Sequence, residues 1–154
     1  MKALVIYHSK YGSCEKIAQS IQKGLADSGV DARIATAAAA PKPGADTDLV
    51  VVGSPTRASR AAKPIRKFID EIDPAAAPNA RYAAFGTGLA KWLLKGEDMA
   101  SEFIYNALKY KGLKMLGKPF RAGVAGWKGP LTEGDTDKAY EFGKELASGL
   151  SVPA

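Results

Sequence analysis

Residues 2–17 read K-A-L-V-I-Y-H-S-K-Y-G-S-C-E-K-I, and the order of residue types predicts a strand, a turn and a helix. An apolar run, Ala3 to Tyr7, stops at small and hydroxyl-bearing residues, and a helical pattern begins directly behind them. A helix N-terminus has unpaired N–H groups and a partial positive charge, so this arrangement is suited to binding a phosphate group. We therefore predict a strand over Lys2–Tyr7, a helix with Ser13 as its N-cap, and an anion site between them.

The rest of the chain alternates between short apolar runs and amphipathic stretches. The apolar runs predict further strands over Val30–Thr36, Leu49–Val52, Arg81–Phe85 and Phe120–Ala125. Helical patterns begin near Pro64, Glu97 and Thr136. Strands and helices that alternate in this way form a parallel sheet with helices on both faces. The chain has 154 residues and no shift in composition, so we expect a single α/β domain over residues 1–154.

Three strand ends are unusually polar or rich in glycine. The segments Ser9–Ser13, Ser54–Arg57 and Gly86–Gly88 follow the first, third and fourth predicted strands. Ligands of such sheets bind beyond the carboxyl ends of the strands, where the strand order reverses. In a 2-1-3-4-5 order these three strands are neighbours around that point. We therefore expect the three segments to converge on one site.

The bulk composition is that of an ordinary globular protein, with 46% hydrophobic and 25% charged residues. Its single cysteine excludes an internal disulfide and a multi-cysteine metal site. No apolar run is long enough for a membrane span and no secretory leader is evident, so we expect a cytoplasmic protein. The net charge of +6 favours an anionic partner. We do not expect nucleic-acid binding, because the basic residues are scattered without interleaved aromatics.

Several other phosphate-binding α/β families are excluded by specific positions. A receiver domain needs acidic residues where this chain has His8-Ser9 and Ser54. A low-molecular-weight tyrosine phosphatase needs an arginine six residues after its cysteine, and that position is Ser20. The chain has no G-x-x-x-x-G-K-[ST] motif of the P-loop NTPases. A Rossmann site is disfavoured because Gly86-Thr87-Gly88 follows the fourth strand and lacks the third glycine.

The segment S-K-Y-G-S-C resembles the flavodoxin phosphate loop, whose pattern is [ST]-x-[ST]-G-x-[ST]. Ser9 and Gly12 match that pattern, and Tyr11 replaces the middle hydroxyl residue, as in the flavodoxin-like quinone reductases. G-S-P-T-R after the third strand and F-G-T-G after the fourth resemble the next two flavin loops, and the resemblance covers essentially the whole chain. It implies a short-chain flavodoxin-like fold: a three-layer, doubly wound, five-stranded parallel sheet in the order 2-1-3-4-5.

The resemblance also implies a site for FMN. The phosphate would lie on the hydroxyls of Ser9 and Ser13 and the backbone N–H groups of residues 10–14. The third strand would give one wall of a slot for the ring, with the Thr56 hydroxyl bonding polar ring atoms, and the fourth strand would give the other wall. Trp92 would either shield a ring face or pack under its loop. The expected cofactor-binding residues are Ser9, Lys10, Tyr11, Gly12, Ser13, Cys14, Pro55, Thr56, Arg57, Gly86, Thr87, Gly88, Leu89 and Trp92; we expect no catalytic side chain and no metal.

Two features depart from the family pattern. Cys14 stands where the family has a threonine, and a thiol is a weak hydrogen-bond donor. Cys14 is either a small substitute for threonine or, at a helix N-terminus, a reactive thiol with a lowered pKa. Acidic residues usually rim the flavin of electron-carrier flavodoxins, whereas these loops carry Arg57, Arg60, Lys91 and Lys95. Positive charge near the ring favours the reduced anion, so we expect a less reducing second redox couple.

The resemblance favours an FMN-binding electron-transfer protein. Its expected partner is a redox protein or a small electron acceptor, and an acidic partner would suit the basic charge. One alternative is an FMN-dependent NAD(P)H:quinone-type oxidoreductase, favoured by S-K-Y-G and S-P-T-R. Another is a flavodoxin-fold binding or regulatory domain without flavin, favoured by Cys14. The expected oligomeric state is monomer or dimer.

Overall fold

The computed structural model describes residues 1–57, 60–90, 99–126 and 129–152. Within these residues seven strands are interspersed with four helices, in the layered α/β arrangement that the sequence pattern predicts. In chain order the elements are β1 (Lys2–Tyr7), α1 (Ser13–Asp27), β2 (Asp31–Thr36), β3 (Leu49–Arg57), β4 (Arg60–Ala61), α2 (Lys63–Asp70), β5 (Arg81–Leu89), α3 (Ala100–Tyr110), β6 (Lys114–Met115), β7 (Phe120–Val124) and α4 (Asp135–Leu150).

The main sheet is parallel and has the order β2-β1-β3-β5, with the fifth position shared by β6 and β7. Since β5 and the β6–β7 pair correspond to the predicted fourth and fifth strands, the predicted order is confirmed. The two-residue β6 was not predicted, because it is too short to show a pattern in the sequence. The equally short β4 pairs antiparallel with the end of β3.

Two apolar cores lie on opposite faces of this sheet, which gives three layers. On one face, Val5 and Val51 pack with the buried stripe of α1, which includes Ile17 and Ile21, and with α4. The other face places alternate strand residues, among them Ile6, Val50 and Val52, against α2 and α3. The central strands are apolar on both sides because both sides are covered by helices.

Two strands run further than the sequence pattern predicts. β3 continues to Arg57 and β5 to Leu89, and their ends pair through Ser54 with Gly86 and Pro55 with Thr87. Glycines at these strand ends predict turns, but in this fold the glycines are needed because neighbouring groups pack too closely for a side chain. A β-carbon on Gly53 would lie 2.0 Å from Cζ of the Phe85 ring. The absence of a side chain at Gly53 therefore leaves room for the ring of Phe85, its partner on the neighbouring strand.

The helix ends follow simple local rules, with one correction. The N-cap of α1 is Gly12, in the left-handed region at φ 95°, and the prediction of Ser13 as the cap is wrong. Ser13 is instead the first helical residue. Gly29 follows the end of α1 and Gly112 the end of α3, both with positive φ, as expected of C-terminal glycines. Among the described residues, no helix has the length and apolar character that a membrane crossing requires.

Candidate functional site

The turn between β1 and α1 leaves the start of the helix open. The Gly12 N–H donates to Ser9 Oγ over 3.0 Å, which closes the turn. No side chain caps the first turn of α1, so its backbone N–H groups have no capping acceptor. The left-handed Gly12 has open space where a β-carbon would lie. The local structure thus presents the hydrogen-bond donors and partial positive charge that an anion requires.

The ends of β1, β3 and β5 meet at one open cleft. The three segments predicted to converge are therefore brought together. The lining residues are Ser9, Lys10, Tyr11, Ser13, Cys14, Pro55, Thr56, Arg57, Thr87, Gly88, Leu89 and Val124. Gly12 and Gly86, both expected at the site, are not part of the lining within the described chain. Trp92 lies outside the described residues.

Thr56 has a structural task that its sequence motif does not indicate. Its side chain is 3% exposed, and its hydroxyl donates to the Thr87 carbonyl over 2.9 Å. The same oxygen accepts the Ala100 N–H over 3.0 Å. Thr56 therefore joins β3, β5 and the start of α3. The hydroxyl thus has its donor and one acceptor position engaged within the protein, and a bond to a ring would use its remaining lone pair.

The glycines at the end of β5 admit the start of α3. A β-carbon on Gly86 would lie 2.6 Å from the Ser101 backbone nitrogen, and one on Gly88 would lie 2.2 Å from Met99 Cε. We expected these glycines to allow a close approach of the backbone to a ring. At the side-chain position the close neighbours are Met99 and Ser101 instead. Gly86 and Gly88 thus fix the packing of α3 behind the cleft.

Cys14 is a core residue. Its side chain is 1% exposed and packs with the apolar cluster beneath α1. Burial raises the pKa of the Cys14 thiol far above its usual range, and the positive charge of Arg57 opposes this only in part. The alternative of a lowered pKa is therefore wrong. Of the two interpretations, a small residue that fills a buried position agrees with the structure.

Arg57 and Lys10 are the charged residues that line the cleft within the described chain. Arg57 Nη1 donates to the Thr56 carbonyl over 3.0 Å. Burial, and after it the charge of Arg57, lower the pKa of His8 at the end of β1. Arg57 lines the same cleft as Ser9, Lys10 and Ser13 of the turn that begins α1.

Two residues at or beside the site, Val124 and Gly129, were not predicted from the sequence. Val124 lines the cleft next to its β5 partner, Leu89. A β-carbon on Gly129 would lie 3.1 Å from Ser13 Oγ, so the segment after β7 reaches the start of α1. No motif marks this segment. The only signal is that it follows a strand at the same edge of the sheet.

A larger concavity lies elsewhere within the described residues. This groove runs between segment 37–43 and α2, and alanine, proline and lysine side chains form much of its lining. It lies away from the converging strand ends, so we assign the candidate site by topology rather than by volume. In the described ranges, no group of histidine, cysteine, aspartate and glutamate side chains is arranged to hold a metal ion.

Comparison with known proteins identifies the family of the chain. A sequence model of the flavodoxin domain matches residues 4–117. A protein of Clostridium saccharobutylicum named flavodoxin is 27% identical over 160 residues, which is 96% of each chain. Among solved structures, a flavodoxin from the domain Archaea superposes with a TM-score of 0.81 at 24% identity, over 99% of this chain and 100% of that one.

A larger protein contains the same fold as one part. The rubredoxin oxygen:oxidoreductase of Desulfovibrio gigas superposes with a TM-score of 0.78 at 20% identity, over 97% of this chain and 36% of that one. Similarity at this level establishes the fold alone. The domain model, in contrast, covers well over half of this sequence. The chain therefore belongs to the flavodoxin family.

Proposed function

We propose that this protein binds FMN non-covalently in the cleft at the ends of β1, β3 and β5 and functions in electron transfer. The observation that carries the proposal is the convergence of an uncapped helix N-terminus with two strand ends on one cleft. The family membership of the chain supports the same ligand. The phosphate and the ring of FMN would contact different residues of the cleft.

The phosphate fits the turn at residues 9–14. Ser9 Oγ accepts a hydrogen bond from Gly12, which leaves its O–H available as a donor. The N–H groups at the start of α1 have no side-chain cap. A phosphate dianion would gain charge-assisted hydrogen bonds there, with Arg57 and Lys10 contributing positive charge at the same cleft. Cys14 would contribute only its backbone N–H, because its side chain is buried in the core.

The ring would lie in the open cleft at the paired ends of β3 and β5. Pro55 and Arg57 line one side, and Thr87, Gly88 and Leu89 line the other. The Thr56 hydroxyl fixes the distance between these two strands through its bond to the Thr87 carbonyl. Leu89 and Val124 add apolar surface, which a flat conjugated ring requires for exclusion of water.

Bound FMN would supply the redox chemistry, since it accepts and releases one or two electrons. The side chains of this protein would bind, orient and tune it. None is required as a nucleophile or as a general acid or base. Arg57 would stabilise negative charge on the reduced cofactor, because opposite charges attract strongly in a partly desolvated cleft.

Titration with FMN tests the proposal directly. Adding the flavin-free protein to FMN should quench flavin fluorescence with a one-to-one end point. Riboflavin, which lacks the phosphate, is the matched control, and it should bind at least tenfold more weakly if the uncapped helix start holds the phosphate. Absence of quenching by the folded protein would contradict the proposal and favour the flavin-free binding domain.

A second candidate is an FMN-dependent NAD(P)H:quinone-type oxidoreductase. The guanidinium of Arg57 at the cleft favours it, because a positive side chain beside the slot suits an anionic electron donor. Steady-state oxidation of NADH or NADPH by the flavin-loaded protein, with a quinone as acceptor, separates the two. A carrier should show no turnover and should instead exchange electrons with a redox protein or small acceptor.

A further inference from the structure

The described residues between the end of β7 and the start of α4, 124–126 and 129–134, are held in place by hydrogen bonds to Gly123 and Asp135. The Gly123 N–H donates to Asp135 Oδ2 over 2.8 Å, and the Gly123 carbonyl accepts the Thr132 N–H over 2.8 Å. Asp135 is only 6% exposed and stands in the first turn of α4, where the helix dipole favours a carboxylate. The buried Asp135 carboxylate therefore holds the end of β7 against the start of α4 through its bond with the Gly123 N–H.

Two further hydrogen bonds join described residues on either side of this connection. The Ala125 N–H donates to the Pro130 carbonyl over 3.0 Å, and the Gly129 N–H donates to the Gly126 carbonyl over 2.9 Å. Leu131 packs against the apolar core beneath α1. The segment is thus anchored by hydrogen bonds and by an apolar side chain.

These residues reach the cleft at one point and one of its lining residues at another. Val124 pairs with Leu89 and lines the cleft. Gly129 lies beside Ser13, which also lines the cleft, since a β-carbon on Gly129 would lie 3.1 Å from Ser13 Oγ. The left-handed φ of 94° at Gly129 turns the backbone at this contact.

We propose that residues 124–126 and 129–134 form a fourth wall of the cofactor cleft, and that Gly129 is a positioning residue whose lack of a side chain leaves room for the Ser13 hydroxyl at the phosphate end. The proposal rests on the proposed FMN function. A serine side chain has three staggered positions, and a β-carbon that crowded its oxygen would shift the balance among them and turn the hydroxyl away from its ligand. Asp135 acts at a distance by fixing the base of the wall.

A double-mutant cycle on Gly129 and Ser13 tests this positioning. The dissociation constants of FMN and of riboflavin are measured by fluorescence quenching for the wild type, Gly129→Ala, Ser13→Ala and the double variant. Gly129→Ala should weaken FMN binding roughly tenfold, the size of one lost charge-assisted hydrogen bond, and should change riboflavin binding less than about twofold. The double variant should bind FMN no more weakly than Ser13→Ala alone, because the crowded oxygen is gone.

Gly134→Ala is the matched control. Gly134 also has a left-handed φ, 85°, but its β-carbon would meet no atom within 4 Å. The Gly134→Ala substitution therefore introduces backbone strain in the same connection without contacting Ser13. It should leave the ratio of FMN to riboflavin affinity unchanged. Thermal unfolding of each variant reports strain separately from binding.

The possible outcomes separate the two proposals. If the wild type binds neither flavin, the proposed function fails. If the wild type binds FMN and Gly129→Ala leaves the FMN-to-riboflavin ratio unchanged, the positioning role is overturned while FMN binding stands. Equal losses in Gly129→Ala and Gly134→Ala, or additive losses in the double variant, would likewise overturn it.

Discussion

Gly24 of α1 and Gly143 of α4 lie against each other where the two helices cross. A β-carbon on Gly24 would lie 2.1 Å from the Tyr140 carbonyl oxygen, and one on Gly143 would lie 2.3 Å from the Ile21 carbonyl oxygen. Both obstacles are backbone atoms of a neighbouring helix, so they move only if the helices separate. This contact fixes α1, whose first turn faces the cleft, against the last helix.

Replacing either glycine by alanine should destabilise the fold. Alanine is favoured over glycine inside a helix by about 1 kcal/mol, but overpacking typically costs about 1–3 kcal/mol, and here the obstacle is backbone. We expect Gly24→Ala and Gly143→Ala to lower the free energy of unfolding by about 1–3 kcal/mol. Urea denaturation measures this difference.

Gly149→Ala, in the same helix, is the control for these variants. Its β-carbon would meet Leu116 Cδ1 at 2.9 Å, and that atom is the movable end of a side chain. We therefore expect stability close to that of the wild type. Equal stability of Gly24→Ala and the wild type would show that the helices separate at little cost.

Thr56→Val should weaken the attachment of α3 to the sheet. Valine has the shape of threonine but lacks the hydroxyl that bonds the Thr87 carbonyl and the Ala100 N–H. Leaving two buried backbone groups unpaired should cost about 1–3 kcal/mol of unfolding free energy. Thr56→Ser keeps the hydroxyl and should retain most of the stability. If both variants unfold at the same urea concentration, the hydroxyl does not hold these elements together.

The Cys14 thiol should be unreactive in the folded protein. Burial raises its pKa, whereas an exposed thiol of the unfolded chain ionises near pH 9. At pH 8, iodoacetamide should modify the native protein slower than the urea-unfolded chain by on the order of a hundredfold. Rapid modification under native conditions would show that the side chain is accessible.

The same pKa shift predicts a pH dependence of stability. A group whose folded pKa is raised contributes stability that is fully present below its unfolded pKa and is lost as the pH rises. The thiol contribution should therefore decline above about pH 9. Cys14→Ala should lose this component, while the alkaline contributions of Tyr7 and Tyr82, whose pKa values are also raised by burial, remain. Parallel stability–pH curves for the two proteins would contradict the assignment.

Arg57 should raise the potential of the second redox couple of bound FMN, if the proposed function is correct. Removing its charge with Arg57→Gln should lower that potential by on the order of tens of millivolts, and high salt should reduce the difference. Potentiometric titration of the FMN-loaded protein measures it. Lys144→Gln changes the net charge equally from the exposed surface of α4 and should leave the potential unchanged. A potential unaffected by Arg57→Gln would exclude a tuning role for this charge.

The elements that local patterns encode were predictable from the sequence. The bounds of β1 are those predicted, and the recurring apolar residues Ile17, Ile21 and Leu25 form the buried stripe of α1. The alternation of strands and helices predicted the layered sheet, and the three polar strand ends predicted the place of the cleft. These features depend on residue spacing within one element, which a sequence displays directly.

The roles of individual side chains were harder to predict, because they depend on neighbours that are distant in sequence. Thr56 stands in a motif that suggests ligand binding, but its hydroxyl is engaged by Thr87 and Ala100. Cys14 stands at a helix start that suggests a reactive thiol, but the side chain turns into the core. The residues next to Thr56 and Cys14 in the sequence contain no pattern that indicates these contacts.

The opening stretch, residues 2–17, thus determined by itself that a buried strand would lead through a hydroxyl-bearing turn into a helix whose start can accept an anion. Hydrogen bonding and apolar periodicity within neighbouring residues are sufficient for that. Only the tertiary structure decided what surrounds the turn: the Arg57 charge, the buried Cys14 and the approach of Gly129 to Ser13. The physical reason is that packing and electrostatics act through space, and the chain brings those groups together only when it folds.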